Sequence, residues 1–351
     1  MLNKDFSTPL HGVDLFLPDE KSSSKIFNAD KREPLPYSLQ ISEGTVELSA
    51  DATLIWTLLD KGEKYHTQLS LFKSAKSQDL VLDVECEGSG KFKLSNTQIV
   101  IDWRSGTDAS HYFQTIAIAI WLELRAIPCI HANALVKDDK CIALIAPSGM
   151  GKTTLSAYLQ ERGFQWLTDD MLALHPRPSQ NPNASSGFMV YPSWPRARMW
   201  PDSVQHLGDI SASTSGKVHE RFSKLKLELP EIDAYQGYVL SDVYVLNRNG
   251  AKLASLEKNT RLMTASTTTG KLGYLTSIEK GIGLKPINSS MAIMAMLQNS
   301  MLGDAYSPLG LEKSRFNNMC KFVNALGVTQ IHYNNDYNSL DAVYELISSR
   351  L

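Results

Sequence analysis

Hydrophobic and polar positions alternate with a two-residue period through much of the first third of the chain. The runs are GTVELSA (44–50), YHTQLSLF (65–72), LVLDVECEG (80–88), GKFKLS (90–95) and TQIVIDW (97–103). Gly, Ser, Asn, Asp and Lys punctuate them, so residues 37–105 read as a small, mostly antiparallel β-rich domain. Residues 1–36, polar and broken by Pro and Ser, read as a segment lying on the surface ahead of it.

The period then changes. In HYFQTIAIAIWLELRA (111–126), Phe113, Ile116, Ala117, Ile120, Trp121 and Leu124 recur at helical spacing, which predicts a buried connecting helix. CIHANALVK and CIALIA flank the polar turn Asp138-Asp139-Lys140, most simply a hairpin. A second domain is therefore placed at 106–351. Beyond it, FQWL (164–167) and YVLSDVYVLNR (238–248) read as strands. The stretches 289–301, 314–327 and 339–349 read as helices, the first Met-rich and in the core. Residues 176–187, PRPSQNPNASSG, are the candidate mobile loop.

Composition narrows the classes only a little. The chain has 351 residues, 35 basic and 37 acidic side chains, and no long run of one charge. Neither a nucleic-acid groove nor a membrane-binding surface is indicated. The four cysteines, Cys86, Cys129, Cys141 and Cys320, lack metal-ligand spacing and read as reduced thiols. No stretch of about 18 apolar residues and no export-type leader is apparent, which places the protein in the cytoplasm as an expectation.

The chemistry concentrates in APSGMGKTT (146–154). The phosphate-loop pattern asks for Gly, four free positions, then Gly-Lys-Ser/Thr; Ala146 stands at the first position and Gly151, Lys152 and Thr153 complete it. An apolar strand candidate precedes the loop, and a helix that stops at Gly163 follows it. Gly149 and Gly151 allow positive φ, so successive amides can converge on phosphate oxygens at a helix N-terminus. Ser148, Gly149, Met150, Gly151, Lys152, Thr153 and Thr154 are the candidate nucleotide-binding set. Lys152 would neutralise the terminal phosphates, and Thr153 would ligate magnesium.

Asp169 and Asp170 follow Lys152 by 17 and 18 positions, at the end of the next strand candidate. On an extended segment adjacent acids point opposite ways, one toward the metal and one toward the nucleophile. A turn- or helix-capping pair is the alternative; together with the loop, catalysis is the better reading.

The combination IHANALV, hairpin, APSGMGKTTL, RGF and LTDD resembles the catalytic domain of the HPr serine kinase/phosphorylase family, over roughly 129–174. The resemblance is closest to its divergent, HPr-kinase-related P-loop kinases. It implies an α/β fold: a P-loop kinase core of the HPr kinase/PEP carboxykinase type, preceded here by the N-terminal β-rich (α+β) domain. It further implies that Asp170 accepts the proton of a hydroxyl substrate and that His131 assists near the transferring phosphoryl group. Magnesium would lie near Thr153, with Asp169 a supporting ligand by the geometric argument above.

YPSWPRARMWPDS (191–203) lacks the Glu of the family's classical members. PRARMWPDS and VTQIHYNNDYNSLDAV, by contrast, resemble the related kinases. Arg196 and Arg198 could bind phosphates or an anionic substrate, and Arg221 could contact the transferring group.

The expectation is an ATP-dependent kinase acting on a hydroxyl of a peptide, a protein or a small metabolite. The catalytic set is Asp170, His131, Lys152, Arg198 and Arg221, and the cofactors are ATP and Mg2+. The alternative is a nucleotide-binding scaffold or switch. The acceptor, the choice between ATP and GTP, a reverse reaction and self-association stay open.

Overall fold

The computed structural model describes residues 2–18, 34–61, 66–177, 187–207, 214–217, 224–249 and 281–351. It is a mixed α/β protein with several sheets. The alternating runs of the first third build a seven-stranded sheet, in which Ala52–Lys61, His66–Ser74, Leu80–Glu85, Gly88–Leu94 and Gln98–Gly106 form an antiparallel meander. Two parallel strands extend it, Tyr37–Glu43 beside Gln98–Gly106 and Val13–Phe16 beside Tyr37–Glu43. The segment expected to lie ahead of the domain thus contributes an edge strand.

The run 44–50 is not a strand, and Ala52–Lys61 takes its place. The amide of Val46 donates to the Asp102 carboxylate (Oδ2, 3.0 Å), so a side chain replaces a ladder partner there.

The predicted helix forms as Ala109–Tyr112, a five-residue π-helical turn Phe113–Ala117 and Ile118–Glu123. Burial departs from the predicted stripe: Leu124 is exposed and Ile116 only partly buried, whereas Ile118, Ala119 and Leu122, off the stripe, are as covered as Phe113 and Trp121. Its apolar side chains share one core with Leu39, Ile41, Leu69, Leu71, Leu82, Ile99 and Ile101 of the seven-stranded sheet, and with Met301, Ala305 and Tyr306 near the C-terminus. Each such large side chain, fully buried, contributes about 1.5–3 kcal/mol.

The second large sheet carries the site. Ala132–Lys137 and Lys140–Ile145 form the expected hairpin. Its turn residues Asp138 and Asp139 both adopt positive φ (50° and 62°), the backbone that suits a right-twisted two-residue hairpin. Gln165–Thr168 pairs antiparallel with Ala132–Lys137, whereas Tyr238–Asn249 runs parallel to Lys140–Ile145 and also to Thr329–Asn334.

Alternate residues of Lys140–Ile145 enter different cores. Ile142 and Leu144 pack under helices Lys152–Gln160 and Ser339–Ser348, while Ala143 and Ile145 pack under Ser289–Gln298 and Glu312–Leu326. Cover on both faces explains why CIALI is apolar at every position. Most of the candidate mobile loop, 178–186, lies outside the described residues.

Candidate active site

The strand Lys140–Ile145 delivers the glycine loop directly into the helix Lys152–Gln160. Ala146 is fully buried and is absent from the positive-φ positions, so a methyl at this place fills core without backbone strain. Gly149 and Gly151 do adopt positive φ, 83° and 89°. A Cβ on Gly151 would also meet the Arg248 guanidinium and the Tyr333 hydroxyl, each at 3.1 Å. Tyr333 donates to the Met150 carbonyl (3.2 Å), and the Met150 side chain enters the core, so the loop is pinned from both sides. Gly151 caps the helix with no side-chain hydrogen bond. Lys152 is buried and donates to the Ala146 carbonyl at 2.6 Å. Burial lowers its pKa from 10.5 to about 7, against the pull of Asp170. A neighbouring anion would favour its charged form.

The strand leading to the two acids does not pair with the loop strand, because Ala132–Lys137 lies between them. Two antiparallel pairings restore the direction of the loop strand, so the acids still emerge at the loop's end of the sheet. Nor do they lie on an extended segment: Asp170 has φ 63°. A turn, not strand alternation, sets their directions. The Asp169 carboxylate accepts from Asn133 Nδ2 (3.0 Å), Thr153 Oγ1 (3.3 Å) and the Arg198 amide (3.1 Å). Asp170 forms an ion pair with the Arg198 guanidinium.

His131 and Asn133, two positions apart, hold the turn from below. His131 Nδ1 donates to the Asp170 carbonyl (2.8 Å), and the Asp170 amide donates to Asn133 Oδ1 (3.3 Å). The carbonyl can only accept, so the neutral ring carries its proton on Nδ1 and leaves Nε2 as an acceptor. Burial, reinforced by Lys152, lowers the His131 pKa to about 3, so the ring is uncharged at neutral pH.

The acids separate electrostatically. Burial, then the charge of Asp170, lifts the Asp169 carboxyl well above the ordinary carboxylate range. Burial also acts to raise Asp170, but Arg198, Lys224 and His131 together outweigh it and hold that carboxyl well below the ordinary range. Arg198 in turn donates to His111 Nε2 (3.0 Å). Burial and then the Arg198 charge keep His111 deprotonated.

A cleft of about 260 Å³ opens over the loop. Ser148, Gly149, Gly151, Lys152, Thr153, Thr154, His131, Asp170 and Arg198 line it; Met150 is turned into the core, and Asp169 adjoins the lining through its bond to Thr153. Arg196 is not brought there; it pairs with Asp5 (2.6 Å) and Ser110 (3.2 Å). Arg221 lies outside the described residues.

Sequence reasoning missed Asn133, His111, Lys224 and Arg248. Only Asn133 left a signal, a polar residue inside the apolar run IHANALV, in phase with His131. Lys224 and Arg248 line the cleft, and no ion pair joins either to a carboxylate among the described residues.

No family model matches the chain, and no curated protein does. Among solved structures it is similar to the Hpr(Ser) kinase/phosphatase from Coxiella burnetii, at 14% sequence identity over 63% of this chain and 95% of that one, with a TM-score of 0.26. A likeness of that degree carries neither activity nor mechanism across, and the chemistry rests on the cleft.

Proposed function

We propose that the chain is an ATP-dependent phosphotransferase that moves the γ-phosphoryl group to a hydroxyl, on serine or threonine of a peptide or protein or on a small metabolite. One observation carries the reading: Lys152, Asp170, His131 and Arg198, from four separate segments, converge on one cleft above a loop with two positive-φ glycines.

Loop amides and Lys152 would hold the phosphates, and the Arg198 fork would take up charge that develops on the transferring group. Asp170 would orient the attacking hydroxyl and receive its proton, with His131 Nε2 as a second acceptor beside it. Thr153 and Asp169 offer hard oxygen donors 3.3 Å apart, which suits magnesium. Among the described residues no cluster of three His, Cys, Asp or Glu could hold a metal, so phosphate and water would complete its shell. Bound there, the ion would neutralise phosphate charge.

The second reading, a nucleotide-binding scaffold, draws on the Arg198–Asp170 pair. A carboxylate held so acidic is a weak base unless its arginine turns to the phosphates.

Calorimetric titration with ATP and magnesium tests the nucleotide site. The wild type should bind, and Lys152→Ala should lose roughly ten- to a hundred-fold in affinity, the worth of a hydrogen bond to a charged group. Equal affinities would remove the loop from the account.

A further inference from the structure

The acids and Arg198 occupy one flank of the loop helix, joined to it through Thr153. The next residue, Thr154, projects about 100° farther round the helix. There its hydroxyl bonds Ser203 Oγ at 3.0 Å, and Ser203 lies 3.5 Å from the Tyr337 hydroxyl. Tyr337 lines the cleft beside the buried Leu340. Behind the Tyr337 ring, and outside the cleft lining, His206 stacks at 4.0 Å with the planes 7° apart, its Nδ1 donating to the Asp202 carbonyl at 2.7 Å. His206 thus covers one face of the ring, while Tyr337, packed against the core beneath the loop helix, also lines the cleft. Oδ1 of the adjacent Asp336 accepts from the Ser339 amide (2.8 Å) and hydroxyl (2.7 Å) at the start of the following helix, which ties down the turn that carries Tyr337.

We propose that this second flank is the nucleoside subsite, in which a nucleobase stacks on Tyr337 over Leu340 and the Thr154–Ser203 hydroxyls face the sugar. This rests on the kinase reading, which puts the terminal phosphate at the acids; the phosphate chain then crosses the loop and leaves its organic end here. A pinned aromatic ring beside an aliphatic floor and two hydroxyls is the surface a base and ribose require.

Parallel titrations with ATP and with inorganic tripolyphosphate test it, both with magnesium. The wild type should bind ATP more tightly than tripolyphosphate. Tyr337→Ala and Tyr337→Leu should each lose roughly five- to a hundred-fold for ATP, the span of base–aromatic stacking, and keep tripolyphosphate affinity. Tyr337→Phe should keep both. Retained tripolyphosphate binding also reports an intact loop. ATP affinity unchanged in the Ala and Leu variants would overturn the proposal, as would a uniform loss for both ligands or equal wild-type affinities. Binding of neither ligand to the wild type would overturn the kinase reading, and this one with it.

Discussion

Asp170→Asn is expected to leave ATP bound while phosphoryl transfer falls by about 100- to 10,000-fold, the usual worth of a positioned proton acceptor. Asparagine keeps the size of the side chain, and the backbone bonds to His131 and Asn133 do not involve the carboxylate. What it removes is the negative charge that pairs with Arg198, and with it the basicity that the proposed role requires. A freed guanidinium beside the phosphates should hold ATP at least as tightly as before. Loss of the neighbouring charge should also lower the pKa of Asp169, because burial would then be the main influence raising it. Single-turnover transfer measured beside equilibrium binding separates the two effects. Full transfer by the variant would assign the proton elsewhere, and an absence of transfer in the wild type as well would favour the scaffold.

The second large effect concerns stability. Glu123, on the helix that packs under the seven-stranded sheet, accepts from Arg315 Nε at 2.9 and 3.0 Å and from the Cys129 amide at 2.7 Å. Arg315 also reaches Ser300 Oγ and the Cys129 carbonyl. Both side chains are almost wholly buried, 1% and 5% exposed. Burial raises the Glu123 pKa, and the Arg315 charge opposes it.

Glu123→Ala would leave a guanidinium inside the protein without its counter-charge, at a cost of about 3–5 kcal/mol, whereas replacing both partners by apolar residues of similar volume should cost much less. Urea unfolding of the single and double variants measures the difference. A single variant within about 1 kcal/mol of wild type would mean that water or a backbone shift relieves the charge.

The elements around the loop were legible because each is specified locally. Asp138-Asp139-Lys140 marks a turn, CIALI an enclosed strand, and Gly163, with φ 89°, follows the end of the loop helix. The acids were found in sequence too, but for a reason that the backbone does not follow: a left-handed turn held by His131 and Asn133 orients them.

Features made by distant partners left no local trace. Arg196 and Arg198 share one face of a strand, two residues or about 6.6 Å apart. That single step sends one to Asp5 and the other to Asp170. The strand Ala52–Lys61 went unread because its apolar run ATLIWTLLDK does not alternate cleanly, while GTVELSA does but spends the Val46 amide on Asp102.

The most direct measurement is a structure with magnesium and a non-hydrolysable ATP analogue bound. The triphosphate should lie over residues 148–154, with its outermost phosphorus between Lys152, His131 and Asp170 and with the Arg198 fork turned to it. A triphosphate seated elsewhere, or one whose γ-phosphate points away from Asp170, would contradict the proposed function.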